Sequence, residues 1–310
     1  MNSLLWPGSV EEHVRANSYN TSNRLSDMDS STDDTDHAEY RSTELGSESP
    51  AELRESSTEE YAVVADSTYS RAQFIEPSSL GYIHIGATVR PRSLPLTLLP
   101  IGREKTELLT RLKERARHLE ELEAVETATI FETAAMPPLH RLPYIKEHKD
   151  SIHLARFDVA VLIETKSPAA AREVQETQAY QTLMDAIQNA ATDVHVMASR
   201  NEKRIGDVDK TKQGVFIFNY FVADDPEVML ELFDYLAGSY VAETGLDNST
   251  LLVPLDDENA DYVAINNARW DIGILRFLWR ELTNKSLRSF VQTNLKANQV
   301  GAMPVLYRLA

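Results

Sequence analysis

Two side chains near the C-terminal end, Asn266 and Trp270, carry the most legible chemistry in the sequence. Residues four apart on a strand point to the same face. Tyr262, Ala264, Asn266, Ala268 and Trp270 then form one row, with small residues between large ones, while Val263 and Ile265 fill the opposite face. An asparagine amide can donate to a carbonyl or an oxyanion, and an indole can stack on an aromatic ligand. The alanines between them would leave room for such a ligand. The alternative is that Asn266 satisfies a strand-end backbone group and Trp270 fills the core. Asn219 sits within the apolar run GVFIFNYFV (214–222), where a buried amide needs partners from the chain or from a ligand. Arg276 and Arg280 lie one helical turn apart. They can hold a carboxylate or enolate, or form a solvated face that meets Glu281 and Asp271.

Other chemistries find less support. There are no cysteines, which excludes disulfides, thiolate nucleophiles and Cys-ligated metals. His140, His148 and His153 are spaced by eight and five residues, which matches no standard zinc pattern. There is no glycine-rich phosphate loop, no nucleophile elbow and no HExxH. No metal or other cofactor is expected.

The elements that must position these residues follow from periodicity. From residue 214 onward the order is a strand (214–222), a helix (226–244), strands at 248–255 and 261–270, a helical stretch at 272–298 and a strand at 302–310. That order, βαββαβ, is the ferredoxin-like unit. The segment 282–286 reads as a break in the last helical stretch, with Ser286 capping its second part. An earlier set repeats the order. A strand at 80–89 and a proline-broken strand at 93–101 precede an amphipathic helix from Arg103, with Leu108, Leu109, Leu112, Ala116, Leu119 and Leu122 on one face. A short strand at 127–133, a loop at 134–152 and a strand at 156–165 come next. A helix capped by Ser167 with Pro168 at its first position then runs to about 191, and a strand at 193–199 closes the unit. Both faces of 214–222 are apolar, so both need cover. Helices can cover one. A second sheet can cover the other, and the earlier unit is the economical partner. The expected fold is therefore α+β: two tandem ferredoxin-like repeats, 79–199 and 214–310, joined by a linker at 200–213. Their antiparallel sheets would face each other as an α/β barrel, with closure between two chains as the alternative.

The 310-residue chain has a net charge of −17, and residues 1–80 hold 16 acidic against 5 basic residues. Segment 1–78 is rich in Ser, Thr, Asp and Glu and poor in apolar residues, so it reads as a disordered acidic tail. No basic stripe points to nucleic acid or an anionic membrane. No apolar run is long enough for a transmembrane helix, and the N-terminus lacks signal-peptide features. The expectation is a cytoplasmic protein whose partners are a small organic ligand and a second copy of itself.

The stretch GLDNSTLLVPLDDENADYVAINNARWD (245–271) resembles the dimeric α/β-barrel superfamily, in particular its antibiotic-biosynthesis monooxygenase and EthD-like groups. A helix ends in glycine, a strand rises, an acidic turn follows, and the next strand ends in Arg-Trp-Asp. The resemblance implies a bent second helix over a pocket. It also implies a catalytic role for Asn266 and Trp270, because some cofactor-free members use an Asn four residues before a Trp. Some haem-degrading relatives place an Asn on their first strand, as Asn219 is placed here. Haem-binding relatives commonly carry a helix histidine that 214–310 lacks, which argues against haem there. No catalytic constellation is complete. The sequence therefore favours a non-catalytic barrel of stress-response or ligand-binding type. The alternative is a cofactor-independent monooxygenase or isomerase acting on an aromatic, acidic or polyketide-like molecule, with Asn219, Tyr262, Arg276 and Arg280 as ligand contacts.

Overall fold

The computed structural model describes residues 68–91, 102–138, 142–256, 258 and 260–310. The expected strand at 93–101, His140 and everything before residue 68 lie outside them. The first half comprises β1 (Gly81–Thr88), α1 (Arg103–Glu120), β2 (Val125–Ala135), α2 (Pro143–His148), β3 (Val159–Thr165), α3 (Pro168–Gln175), α4 (Gln178–Gln188) and β4 (Asp193–Gly206). The second comprises β5 (Val215–Ala223), α5 (Pro226–Thr244), β6 (Ser249–Pro254), β7 (Ala264–Trp270), α6 (Ile274–Thr283), α7 (Lys285–Ala297) and β8 (Val300–Leu309).

The strands form one closed barrel in the order β1-β3-β2-β8-β5-β7-β6-β4. Every neighbouring pair is antiparallel. Within each half the order is that of a ferredoxin-like sheet, β4-β1-β3-β2 and β8-β5-β7-β6. Two seams, β2 with β8 and β4 with β6, join the halves, so the barrel closes within a single chain. The second seam explains why β4 outruns the strand expected at 193–199. Its continuation through Arg200–Gly206 pairs with β6.

Alternation sorts the side chains. Tyr82, Phe131, Leu162, Met197, Phe218, Leu252, Ile265 and Val305 come from the eight different strands and share one buried cluster, which is the barrel interior. The interior is packed with aromatic rings. On β5, Phe216, Phe218 and Tyr220 point in, while Ile217 and Phe221 point out towards helices. Outside the first half, Ile83, Ile85, Val161 and Ile163 meet leucines of α1 and Leu183 of α4. Both faces of the sheet are thus covered, as the apolar runs require.

The helices stop where local chemistry stops them. Ser167 Oγ accepts from Ala170 N at 3.2 Å, with Pro168 opening α3. The single helix expected from 167 to 191 breaks at Thr177, whose hydroxyl accepts from Tyr180 N and so starts α4. Asp225 caps α5, and Gly245 ends it at φ 68°, a left-handed position that favours glycine. The break in the last helical stretch falls where the sequence suggests, but its cap is Asn284 and not Ser286. Asn284 Oδ1 accepts from Leu287 N at 2.9 Å, and its Nδ2 donates to Glu243. The stretch expected as a loop holds the short helix α2, tied to the start of the second half by Tyr144 Oη donating to Asp224 at 2.7 Å.

Residues 68–78 depart from the expected unpacked tail. Tyr69 is buried against Phe290, and its hydroxyl donates to Glu243 at 2.7 Å. Ala72 N donates to the Asp234 carbonyl, and Ile75 forms a bridge with Arg204 on β4. The strap runs so close to α5 that a Cβ on Gly238 would meet Ser70 O at 1.9 Å. The missing side chain is what lets the strap seat.

Candidate active site

The helices of the second half do not close fully on their sheet. A cavity of about 350 Å³ remains between the outward face of β5–β8 and helices α5, α6 and α7. Ile217, Asn219, Phe221, Asn266, Pro304 and Leu306 form its floor, and Trp270 bounds it. Phe233, Leu236, Tyr240, Phe277 and Leu287 contribute helix walls. Leu282 also lines it and is 67% exposed, which places it at the mouth. The lining is apolar with a few polar groups, the usual character of a small-molecule site.

Two of those polar groups are the amides of Asn219 and Asn266. The β5–β7 register sets them directly opposite each other. Asn266 Oδ1 accepts from Ser249 Oγ at 2.7 Å, which orients the amide and leaves its Nδ2 donor for the cavity. Asn219 Oδ1 is buried without a protein partner. A ligand can satisfy both groups, one as a donor and one as an acceptor. The neighbouring Asn267 points the other way, into the barrel, because alternation sends it there with its register partner Phe218.

Trp270 is held rigidly. Its indole N–H donates to Thr244 Oγ1 at 3.0 Å, and its ring lies 4.9 Å from Phe277. On α6, Glu281 lines the cavity, and the Tyr240 hydroxyl donates to its Oε2 at 3.5 Å. Burial raises the Glu281 carboxyl above its ordinary pKa, against the lowering effects of Tyr240, Arg288 and Arg280. Burial also pushes the Tyr240 phenol well up, assisted by the nearby Glu281 charge, so it stays protonated.

The structure thus brings Asn219, Asn266 and Trp270 to one cavity and places the other expected contacts elsewhere. Tyr262 is in the barrel core, with its hydroxyl donating to the His153 carbonyl at 3.1 Å. The chain enters β7 only at Ala264, so the alternation counted from Tyr262 does not hold. Ala264 and Ala268 are fully packed and do not line the cavity. The expected room lies instead between sheet and helices. Arg276 is exposed, and Arg280 Nη2 donates to the Glu243 carbonyl at 3.1 Å. Neither lines the cavity, whereas Arg288 of α7 does. Ser249, Tyr240 and Glu281 were not legible as site residues. The sequence showed only a strand start and two helical stretches, and which helix face meets the cavity depends on how α5 and α6 lean. His148 stacks on Tyr144, and His153 lies between Asp193 and Asp261, so the two are not joined. Among the described residues no group of three or more acidic or histidine side chains is placed to hold a metal ion. No described helix is long and apolar enough to cross a membrane.

No protein-family model and no curated protein sequence matches the chain. Solved structures do. An anthrone oxidase-like protein superposes with a TM-score of 0.51 at 11% identity, covering 77% of this chain and 94% of that one. A mutant chlorite dismutase from Candidatus Nitrospira defluvii superposes with a TM-score of 0.42 at 9% identity, covering 75% of this chain and 92% of that one. The first of these, at an identity this low, shows shared architecture alone, in keeping with the closed ferredoxin-like α/β barrel that the strand order defines.

Proposed function

We propose that the chain is a cofactor-independent oxygenase whose active site is the cavity outside β5–β8, and that its substrate is a mainly apolar aromatic molecule carrying an ionisable carbonyl or hydroxyl group. The observation that carries this reading is the pair of facing amides, Asn219 and Asn266, on the floor of an otherwise apolar cavity. The sequence leaned towards a non-catalytic barrel because no constellation was complete. An open cavity reaching Asn266 favours the catalytic alternative. An apolar enclosure suits fused aromatic rings, with Trp270 as a flat wall. Asn266 Nδ2 is the donor for an enolate or phenolate oxygen, and Asn219 holds the second polar group. A stabilised carbanion equivalent of this kind can itself supply electrons to dioxygen. The name of the structural neighbour at TM-score 0.51 is consistent with that chemistry.

Anthrone serves as the probe. Its oxidation consumes one dioxygen and yields anthraquinone and one water. The protein should accelerate dioxygen uptake and anthraquinone formation. Asn266→Ala should lower the rate by roughly 10²–10³-fold, the usual effect of losing one oxyanion donor. Wild-type protein that binds anthraquinone in the cavity yet leaves the anthrone rate at its buffer value would overturn the oxygenase reading.

A further inference from the structure

Glu281 is the ionisable side chain of α6 that lines the cavity, and it stands in apolar company. Its surroundings come from three helices. Tyr240 of α5 donates to it at 3.5 Å, Arg288 of α7 lines the same cavity, and Arg280 on α6 turns away to the Glu243 carbonyl. The sheet opposite offers Ser249 and the amides of Asn219 and Asn266, all of them neutral. A carboxylate in such a place is poorly solvated, and a proton is what relieves it. The Asn266 Nδ2 donor marks where negative charge on a ligand is received. A carboxylate in the same cavity marks where the ligand's proton goes.

We propose that Glu281 is the general base of this site, taking a proton from an acidic C–H or O–H of an enolisable aromatic substrate. The proposal rests on the catalytic reading of the cavity and narrows its substrate class to carbon or oxygen acids. The step is a proton transfer alone. The substrate C–H bond breaks, its proton goes to a Glu281 carboxylate oxygen, and the electron pair moves onto the carbonyl to give an enolate. Asn266 Nδ2 donates to that oxygen. The Tyr240 hydroxyl holds the carboxylate in position, and Arg288 supplies positive charge at the rim. A base with a raised pKa is better matched to such weak acids than an ordinary carboxylate.

Deuterium exchange separates this step from oxidation. Anthrone is incubated with the protein in D2O without dioxygen, and loss of its C10 methylene proton signal is followed by NMR. Wild type should speed exchange above the buffer rate, with a rate that rises with pH through the Glu281 ionisation and then levels. Glu281→Gln should lower it by at least about 100-fold and abolish that limb of the profile. Glu281→Asp should fall between the two. Glu281→Gln should still bind anthraquinone and unfold at no lower a temperature than wild type, because the amide removes a poorly solvated charge. Exchange without aerobic oxidation would leave the base in place and sink the oxygenase reading. Exchange that survives in Glu281→Gln would overturn the base, and the oxygenase reading would then stand or fall on aerobic oxidation by the wild type. Absence of both in wild type would overturn both.

Discussion

Asn219 and Asn266 face each other across a ladder yet differ in what holds them. Asn266 serves Ser249 as well as the cavity, whereas Asn219 has a buried oxygen with no protein partner. Replacing Asn266 with leucine strands the Ser249 hydroxyl and should cost about 1–3 kcal/mol. Asn219→Leu removes an unsatisfied amide from an apolar floor, so it should be near neutral or stabilising while lowering activity. Urea unfolding of the two variants tests this. Equal destabilisation by both would show that Asn219 is as structural as its neighbour. Ala268→Leu belongs to the same series. Ala268 is fully buried outside the cavity, so added methylenes should strain the core by about 1–3 kcal/mol. The Asn–Trp spacing pointed to Asn266 and Trp270 because both lie on one regular strand, where periodicity is a sound guide. It misplaced Tyr262, whose backbone is not yet strand. It passed over Glu281 because an acidic residue beside arginines on an amphipathic helix looks like a solvated ion pair, and only the tilt of α6 distinguishes the two.

Among the elements, the strap at 68–78 is the one that composition concealed. A Ser- and Glu-rich context made it look unpacked, but Tyr69 is an anchor with a built socket of Phe290, Glu243 and Ser286. Tyr69→Ala should cost about 3 kcal/mol or more, as losses of buried aromatics do. For a folded body of this size each kcal/mol lowers Tm by about 2–4 °C. A melting curve that does not move would mean that the strap contributes no binding energy to α5. Gly238→Ala should act in the same direction despite alanine's better helix propensity, since its Cβ would meet Ser70 O at 1.9 Å. The regular elements were legible almost throughout, because strong alternation and good caps such as Ser167 and Asp225 are local signals. The break at Thr177 and the extension of β4 to Gly206 were not. The first depends on a hydroxyl cap inside an otherwise helical run, and the second on a partner strand distant in sequence.

At the scale of the whole molecule, one consequence of closing the barrel within the chain is that imidazoles are enclosed in its interior. His84 is fully buried; its Nε2 lies 3.2 Å from the Tyr220 hydroxyl, and its Nδ1 has no partner. His195 is 4% exposed, and neither ring nitrogen has a hydrogen-bond partner. Burial, aided by mutual repulsion, holds His84 well below the usual imidazole range. Burial likewise lowers His195 to about 4, with Asp261 opposing and His153 assisting. His153 shifts the other way: burial would lower it, but bonds to Asp193 and Asp261 prevail and raise it. The signs follow. A depressed histidine is neutral in the fold and takes up its proton on unfolding, so its stabilising effect is present above the unfolded value of about 6.5 and is lost as pH falls. The raised His153 stabilises below its unfolded value and loses that effect as pH rises through its folded one. Between pH 7 and 5 the depressed imidazoles therefore lower stability on acidification, by about 2 kcal/mol for His195 alone. His195→Phe isolates it, since a phenyl ring can keep the stacking on Phe157 seen for the imidazole. Urea unfolding at pH 7 and pH 5 should give a drop for wild type that is larger than the drop for His195→Phe by about that 2 kcal/mol. Equal drops would mean that His195 is hydrated or charged in the folded barrel, and the dry, neutral interior inferred from its packing would have to be abandoned.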